Sequence, residues 1–184
     1  YLAGKVGTPV YIAHVTCREA LKELIEARGN GVNINGETCT HYLTITKDVL
    51  DNPDFNEASK YVCSPALRDQ EDIDALWDAL NRGILTAVSS DHCGIDVAEL
   101  KQAGRDDFTQ IPNGSPGAGD RFSMIWTYGV ETGRISRKKF VELIAAKPAK
   151  INGIFPQKGT LEVGSDADIV IFDPSWEGTV RLAD

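Results

Sequence analysis

Residues Leu85 to His92 read LTAVSSDH, an apolar run that stops abruptly at Ser90, Asp91 and His92. A short, wholly apolar segment of this kind predicts a buried strand, Leu85 to Ser89, with a polar cluster at its carboxyl end. Working upstream, Asp69 opens a segment in which Ile73, Leu76, Trp77 and Leu80 recur at helical spacing. Asp69 is a good N-cap, Glu71 and Asp72 suit the positive end of the helix dipole, and Gly83 is the stop. Further upstream, Val10 to Val15 (VYIAHV) is apolar and β-branched, and predicts another buried strand. It runs into REALKELIEARGNG, where Ala20, Leu21, Leu24 and Ile25 mark a helix that Gly29 ends; Val32 to Asn35 is a second, short strand. The order strand, helix, strand, helix, strand predicts an α/β fold with parallel strands and helical crossovers. Continuous apolar character in the first and third strands predicts a sheet covered on both faces.

Downstream of His92 lies a loop rich in Gly and Pro, including IPNGSPGAGD from Ile111 to Asp120. Arg121 to Glu131 predicts a helix, and Ser136 caps another whose buried side carries Phe140, Val141 and Ile144. Gly159 to Asp173 (GTLEVGSDADIVIFD) changes to alternation and turn glycines, then an apolar strand. A boundary near Phe155 divides the chain into residues 1–155 and 156–184. No internal repeat or low-complexity segment is visible.

Composition excludes several classes. With 184 residues, 42% hydrophobic and 25% charged, the chain is neither a disordered nor a fibrous sequence. No apolar run approaches the roughly 20 residues of a membrane helix. A net charge of −8 argues against nucleic acid as a partner. The cysteines Cys17, Cys39, Cys63 and Cys93 show no CxxC spacing, so reduced, mostly buried thiols in a cytoplasmic protein are expected rather than a zinc knuckle or a disulfide framework. The chain opens on Tyr1 and enters a strand within ten residues, with no signal peptide visible; it reads as a fold entered part-way.

The chemistry-bearing residues fall at strand ends. His14 closes the first strand, and Asp91 and His92 follow the third. In parallel α/β folds the carboxyl ends of strands carry the active site. His and Asp there are good ligands for a zinc-class cation, and an Asp beside such an ion can shuttle protons. Read singly, a strand His is a core residue and an Asp after a strand is a turn or a cap. His41 and Tyr42, in ETCTHYL, either face the same cavity or plug the top of the sheet. The Ser64-Pro65 turn and the IPNG turn around Asn113 can each present backbone groups to a ligand. P-loop, dinucleotide-binding and G-x-S-x-G signatures are absent.

Taken together, AHVTCREA, GETCTHYL, KYVCSPALRDQEDIDALWDAL, VSSDHC, DDFTQIPNGSPGAGDR and KGTLEVGSDADIVIFD resemble, in order, the motifs of the dihydropyrimidinases and hydantoinases. These are cyclic amidohydrolases of the metal-dependent amidohydrolase superfamily. The resemblance implies a (β/α)8 TIM barrel with a small β-sandwich, two zinc ions bridged by a hydroxide and a carboxylated lysine, and a homotetramer in the cytoplasm. It implies that His14 binds one metal. Asp91 binds the other and acts as general base, then acid. Backbone groups at Ser64 and Asn113 hold the imide or ureide edge of the ring, and His92 supports the site from behind its ligands. His41 stands where many dihydropyrimidinases have Gln and where allantoinases and dihydroorotases often have His. Gly94 replaces a proline common after the DHC triplet. The family's His-x-His pair, bridging lysine and a further histidine ligand have no counterpart here.

The expected activity of the intact enzyme is therefore ring opening of a dihydropyrimidine or hydantoin to an N-carbamoyl amino acid. The alternatives are an allantoinase or dihydroorotase, and, in another class, a non-catalytic dihydropyrimidinase-like scaffold protein. A closed (β/α)8 barrel needs about 250 residues, so 184 residues read as the later part of one plus strands of a C-terminal β-sandwich. Expressed alone, the 184-residue chain is expected to aggregate and to be inactive; size-exclusion chromatography and a turnover assay check this, and a soluble active monomer would refute it.

Overall fold

A computed structural model of the chain describes residues 1–179. After a short helix α1 (Leu2–Val6) come β1 (Val10–Ile12), α2 (Arg18–Gly29), β2 (Ile34–Cys39), α3 (Phe55–Ser59), α4 (Gln70–Asn81) and β3 (Ala87–Ser89). The helical tail comprises α5 (Arg121–Ile125) with a π-helical continuation over Trp126–Glu131, α6 (Arg137–Val141), a second π-helical stretch and α7 (Lys147–Ile151). The three strands form one sheet in the order β1-β2-β3, and both pairings are parallel. Val10 pairs with Ile34 and Ile12 with Gly36; Glu37 pairs with Ala87 and Cys39 with Ser89. The crossover order expected from the sequence is thus the observed one.

The core forms where α2 and α4 lie against β2 and β3. Leu21 and Leu24 of α2 meet Ile73, Leu76, Trp77 and Leu80 of α4, with Leu85 and Val88 beneath. Each such fully buried side chain contributes about 1.5–3 kcal/mol. Ile25, placed on the apolar stripe by spacing, is 46% exposed, because α2 turns its Leu21–Leu24 edge inward. The indole N–H of Trp77 donates to the Leu43 carbonyl at 3.0 Å, so α4 also pins the turn after β2. The N-terminus of α2 is capped from outside: the buried Asp72 carboxylate of α4 accepts from the Arg18 N–H at 3.0 Å and from Arg18 Nε at 3.2 Å. Ser136 caps α6 through the Lys139 N–H, as its position predicts. Asp69 occupies the cap position of α4 but pairs with Lys47 instead.

Three expectations change. The first strand ends at Ile12, not Val15, and the described residues do not cover it on both faces: Tyr11 and Ile12 stay about 40% exposed. The second strand runs on through Cys39, since its polar residues find partners inside the fold; Glu37 accepts from the Tyr11 and Ser89 hydroxyls, each at 2.8 Å. The C-terminal strand expected within 159–173 does not form among the described residues. A strand is held by a neighbour's hydrogen-bond ladder, and none runs beside it here. Phe172 instead packs against Phe122 and Trp126, at 4.9 and 4.6 Å between ring centres. The end of the expected 156–184 segment, residues 180–184, lies outside the described residues.

Gly36 lets β2 approach α2. A Cβ there would lie 2.6 Å from Leu24 Cδ1 and 3.3 Å from Leu85 Cδ2. Gly36→Ala should therefore destabilise the fold by about 1–3 kcal/mol through overpacking, read as a lower midpoint in denaturant unfolding.

Candidate active site

The sheet places three chain reversals side by side at the carboxyl ends of its strands. The regular β1–β2 ladder would have the His14 N–H donate to the Glu37 carbonyl. The Val15 N–H makes that bond instead, at 2.8 Å, so one extra residue is inserted before the chain rejoins β2. Such a bulge re-aims a side chain at a strand end, and His14 sits on it with φ 40°. Across the sheet, Asp91 follows β3 with φ 46°. Among the described residues these are the only non-glycine positions with positive φ. Each such conformation costs about 1–3 kcal/mol and persists only where its surroundings enforce it.

Between them, β2 ends at Cys39 and the turn after it carries His41. One ligand atom each from Cys39, His41 and Asp91 lie within 4.8 Å of one another. Two donors of a tetrahedral zinc ion stand roughly 3.4 Å apart, so these atoms are near the separation at which a cation could be held. His41 Nε2 is buried without a hydrogen-bond partner. Burial pushes the His41 imidazolium below the usual histidine range, with Asp91 opposing and His14 reinforcing the shift. His41 thus offers a buried, uncommitted nitrogen, and its burial favours the neutral imidazole, the form a metal ligand requires. Cys39 is committed elsewhere: its thiol, fully buried, pairs with Ser89 Oγ at 3.2 Å, and burial pushes it up to about 12. His14 is not one of the three mutually close donors.

Ser64 and Asn113 lie on two loops that touch. The Gly114 N–H donates to the Val62 carbonyl at 3.0 Å, and the Ser115 hydroxyl to the Lys60 carbonyl at 2.8 Å. Among the described residues no hydrogen bond uses the backbone groups of Ser64 or Asn113 themselves. Tyr42, buried, supports the first loop by donating to the Pro65 carbonyl at 2.6 Å; of the two roles open to it from sequence, it takes the plugging one. His92 points its Nδ1 at the Gly117 and Ala118 N–H groups, at 3.1 and 3.3 Å, and so holds the glycine-rich loop. A cleft of about 320 Å³ lined by His41, Tyr61, Cys63, Ile95 and Ser115 opens beside the donor set.

Sequence reasoning missed Cys39 as a neighbour of the donors and Lys101 as a buried charge. Neither carries a spacing signal: Cys39 is one of four scattered cysteines, and Lys101 lies in a polar stretch like any solvated lysine.

A parallel α/β sheet that gathers His, Cys and Asp donors at its strand ends forms a candidate metal site. The sequence profile of the amidohydrolase family matches residues 10–182, and the chain belongs to that family. Over 180 residues it is 53% identical to a D-hydantoinase of Ralstonia pickettii, covering 98% of this chain and 39% of that protein. A D-hydantoinase of Geobacillus stearothermophilus is 45% identical over 95% of this chain and 37% of its own length. Among solved structures, the dihydropyrimidinase from Brevibacillus agri NCHU1002 superposes with a TM-score of 0.94 at 47% identity, over 97% of this chain and 39% of that one. The chain thus spans about two fifths of the length of the relatives it matches. Family membership makes metal dependence the rule for such a site, and the donor set here fits it.

Tyr42→Phe removes one of the two donors on the Pro65 carbonyl, the other being the Cys63 thiol at 3.3 Å. It should cost about 1 kcal/mol, measurable as a shift in the unfolding midpoint with the secondary structure unchanged.

Proposed function

We propose that residues 1–155 form the later part of a (β/α)8 barrel, that residues 156–184 contribute to a small β-sandwich, and that the enzyme so built hydrolyses cyclic amides. The ring is a hydantoin or dihydropyrimidine, opened to an N-carbamoyl amino acid. The observation that carries this reading is the pair of strained strand ends: His14 and Asp91, both at positive φ, flank the unpartnered His41 nitrogen. The similarity to D-hydantoinases, at 53% and 45% identity, supports the choice of substrate class.

In this reading His14 is a ligand of one metal and Asp91 of the other, and His41 lies beside Asp91. Two zinc ions per subunit, when bound, would lower the pKa of water and polarise the scissile carbonyl. Asp91 takes a proton from the attacking water and returns it to the leaving ring nitrogen. The free backbone groups of Ser64 and Asn113 hold the polar edge of the ring, which lowers the entropic cost of attack. His92 keeps the loop after Asn113 in place through Gly117 and Ala118. No helix among the described residues is long and apolar enough to cross a membrane, and the four free thiols fit a reducing, cytoplasmic setting. A homotetramer is the assembly that goes with this reading.

His41 favours a second reading, in which the ring is allantoin or dihydroorotate. A turnover panel of hydantoin, dihydrouracil, allantoin and dihydroorotate decides between them, with the first two expected to react. Zinc analysis separates either enzyme from a scaffold: about two ions per subunit are expected, and none would favour the scaffold. Asp91→Asn in the full-length protein should lower turnover by about 10²–10⁴-fold while zinc content stays largely intact. Near-normal turnover in that variant would remove Asp91 from the proton-transfer role.

A further inference from the structure

Lys101 is the most deeply buried charge among the described residues, with 1% of its surface exposed. No carboxylate pairs with it there. Its Nζ donates instead to backbone carbonyls: Ser59 at 2.7 Å, Gly114 at 2.9 Å, Val62 at 3.2 Å and Lys60 at 3.4 Å. An ammonium has three N–H bonds, so all its donors are used and one is shared. Burying an ammonium is costly unless its surroundings satisfy it, and here four carbonyl dipoles converge on it.

Those carbonyls belong to two separate segments, the last residue of α3 with the loop after it, and the loop at Gly114. Ser59 to Val62 leads into the Ser64 turn, and Gly114 directly follows Asn113. The backbone around Lys101 is seated on the second loop as well. A Cβ on Gly104 would lie 2.0 Å from Ile111 Cγ1 and 2.8 Å from the Ile111 nitrogen, so the Lys101–Gly104 turn packs directly on the residue that begins the IPNG segment. The Cys93 N–H, two residues beyond Asp91, donates to the Ser115 carbonyl at 3.0 Å and joins the same assembly.

We propose that Lys101 is a positioning residue for substrate: its ammonium cross-links the two loops and so sets the separation of the Ser64 and Asn113 backbone groups that receive the ring. This rests on the preceding reading of those two groups. The proton chemistry at Asp91 does not pass through Lys101, so the residue acts on ring binding rather than on the chemical step.

The test uses the full-length, zinc-loaded protein with Lys101→Met and Lys101→Arg. Lys101→Met should raise KM for hydantoin by roughly tenfold to a hundredfold, with kcat within about threefold and zinc content unchanged, the pattern of lost uniform binding. Lys101→Arg keeps the charge and several donors, and should recover most of the lost affinity. In hydrogen exchange, the amides of Gly114 and of residues 60–64 should speed up together in Lys101→Met while Thr38 and Val88 in the sheet do not change. A lower unfolding midpoint with KM unchanged, or faster exchange spread over the sheet, would reduce Lys101 to a structural role and overturn the proposal. If Lys101→Met does not fold, Lys101→Arg carries the same readouts, with intermediate shifts in KM and in loop exchange expected and wild-type values in both overturning the proposal. Should the wild type open none of the rings, the functional reading fails, and the joint exchange of the two loops still decides whether Lys101 couples them.

Discussion

The central strand β2 is paired in parallel on both sides, and the geometry of the candidate site follows from that double ladder. Adjacent strands stand about 4.8 Å apart, which puts the ends of β1 and β3 roughly 10 Å from each other. Side chains leaving those ends in regular extended conformation would not converge. The bulge before Val15 and the left-handed turns at His14 and Asp91 are the means by which two strands separated by a third direct their donors toward the same end of the sheet. His41 needs no such strain, because β2 already lies between them. Of the two outer donors, both at positive φ, Asp91 closes with His41 and Cys39 to within 4.8 Å.

Local strain has to be held by something stiffer than itself. The stiffness lies behind the strand ends, where α2 and α4 close on β2 and β3 with Leu24, Gly36 and Leu85 in near contact. Asp72 locks the two helices together by capping α2 from α4. The same helix pins the turn carrying His41 through Trp77 and the Leu43 carbonyl. Strand register, helix packing and the position of the donor set therefore share one core. On the other flank the loops are organised by polar contacts rather than by apolar burial, with Lys101 gathering carbonyls where a hydrophobic core would need regular structure around it.

The fold's alternation was legible because apolar periodicity reports burial directly: LTAVS, the Leu76-Leu80 stripe and Leu21-Leu24 all lie where their spacing places them. What escaped was decided by tertiary partners. Glu37 and Thr38 look like loop residues until Tyr11 and Ser89 are seen to satisfy Glu37. The apolar run IVIFD suggests a strand, yet the described residues give it no ladder, and Phe172 is used for an aromatic cluster. Of the candidate site, the strand-end positions of His14 and Asp91 and the turns at Ser64 and Asn113 could be read from sequence, and the motif resemblance added their proposed roles. Their backbone conformations could not, because positive φ at His or Asp has no residue signature comparable to glycine.

The distribution of unsatisfied groups separates the structural from the functional part of this end of the fold. Two buried side-chain atoms among the described residues lack partners, Thr38 Oγ1 and His41 Nε2, and both belong to the stretch that leads from β2 into the donor set. Tyr42, the next residue after His41, is fully used, with its hydroxyl on Pro65. An unpaired buried polar atom costs about 1–3 kcal/mol, and a chain that caps α2 by a buried carboxylate and satisfies a buried ammonium with four carbonyls has the means to avoid that cost. The orphan nitrogen, on an imidazole whose burial favours the neutral form, lies near strained backbone at Asp91, so two penalties fall on one small region. A ligand that accepts a nitrogen lone pair and a carboxylate oxygen together relieves the orphaned nitrogen and offsets the strain, and a divalent cation is the simplest species that does so.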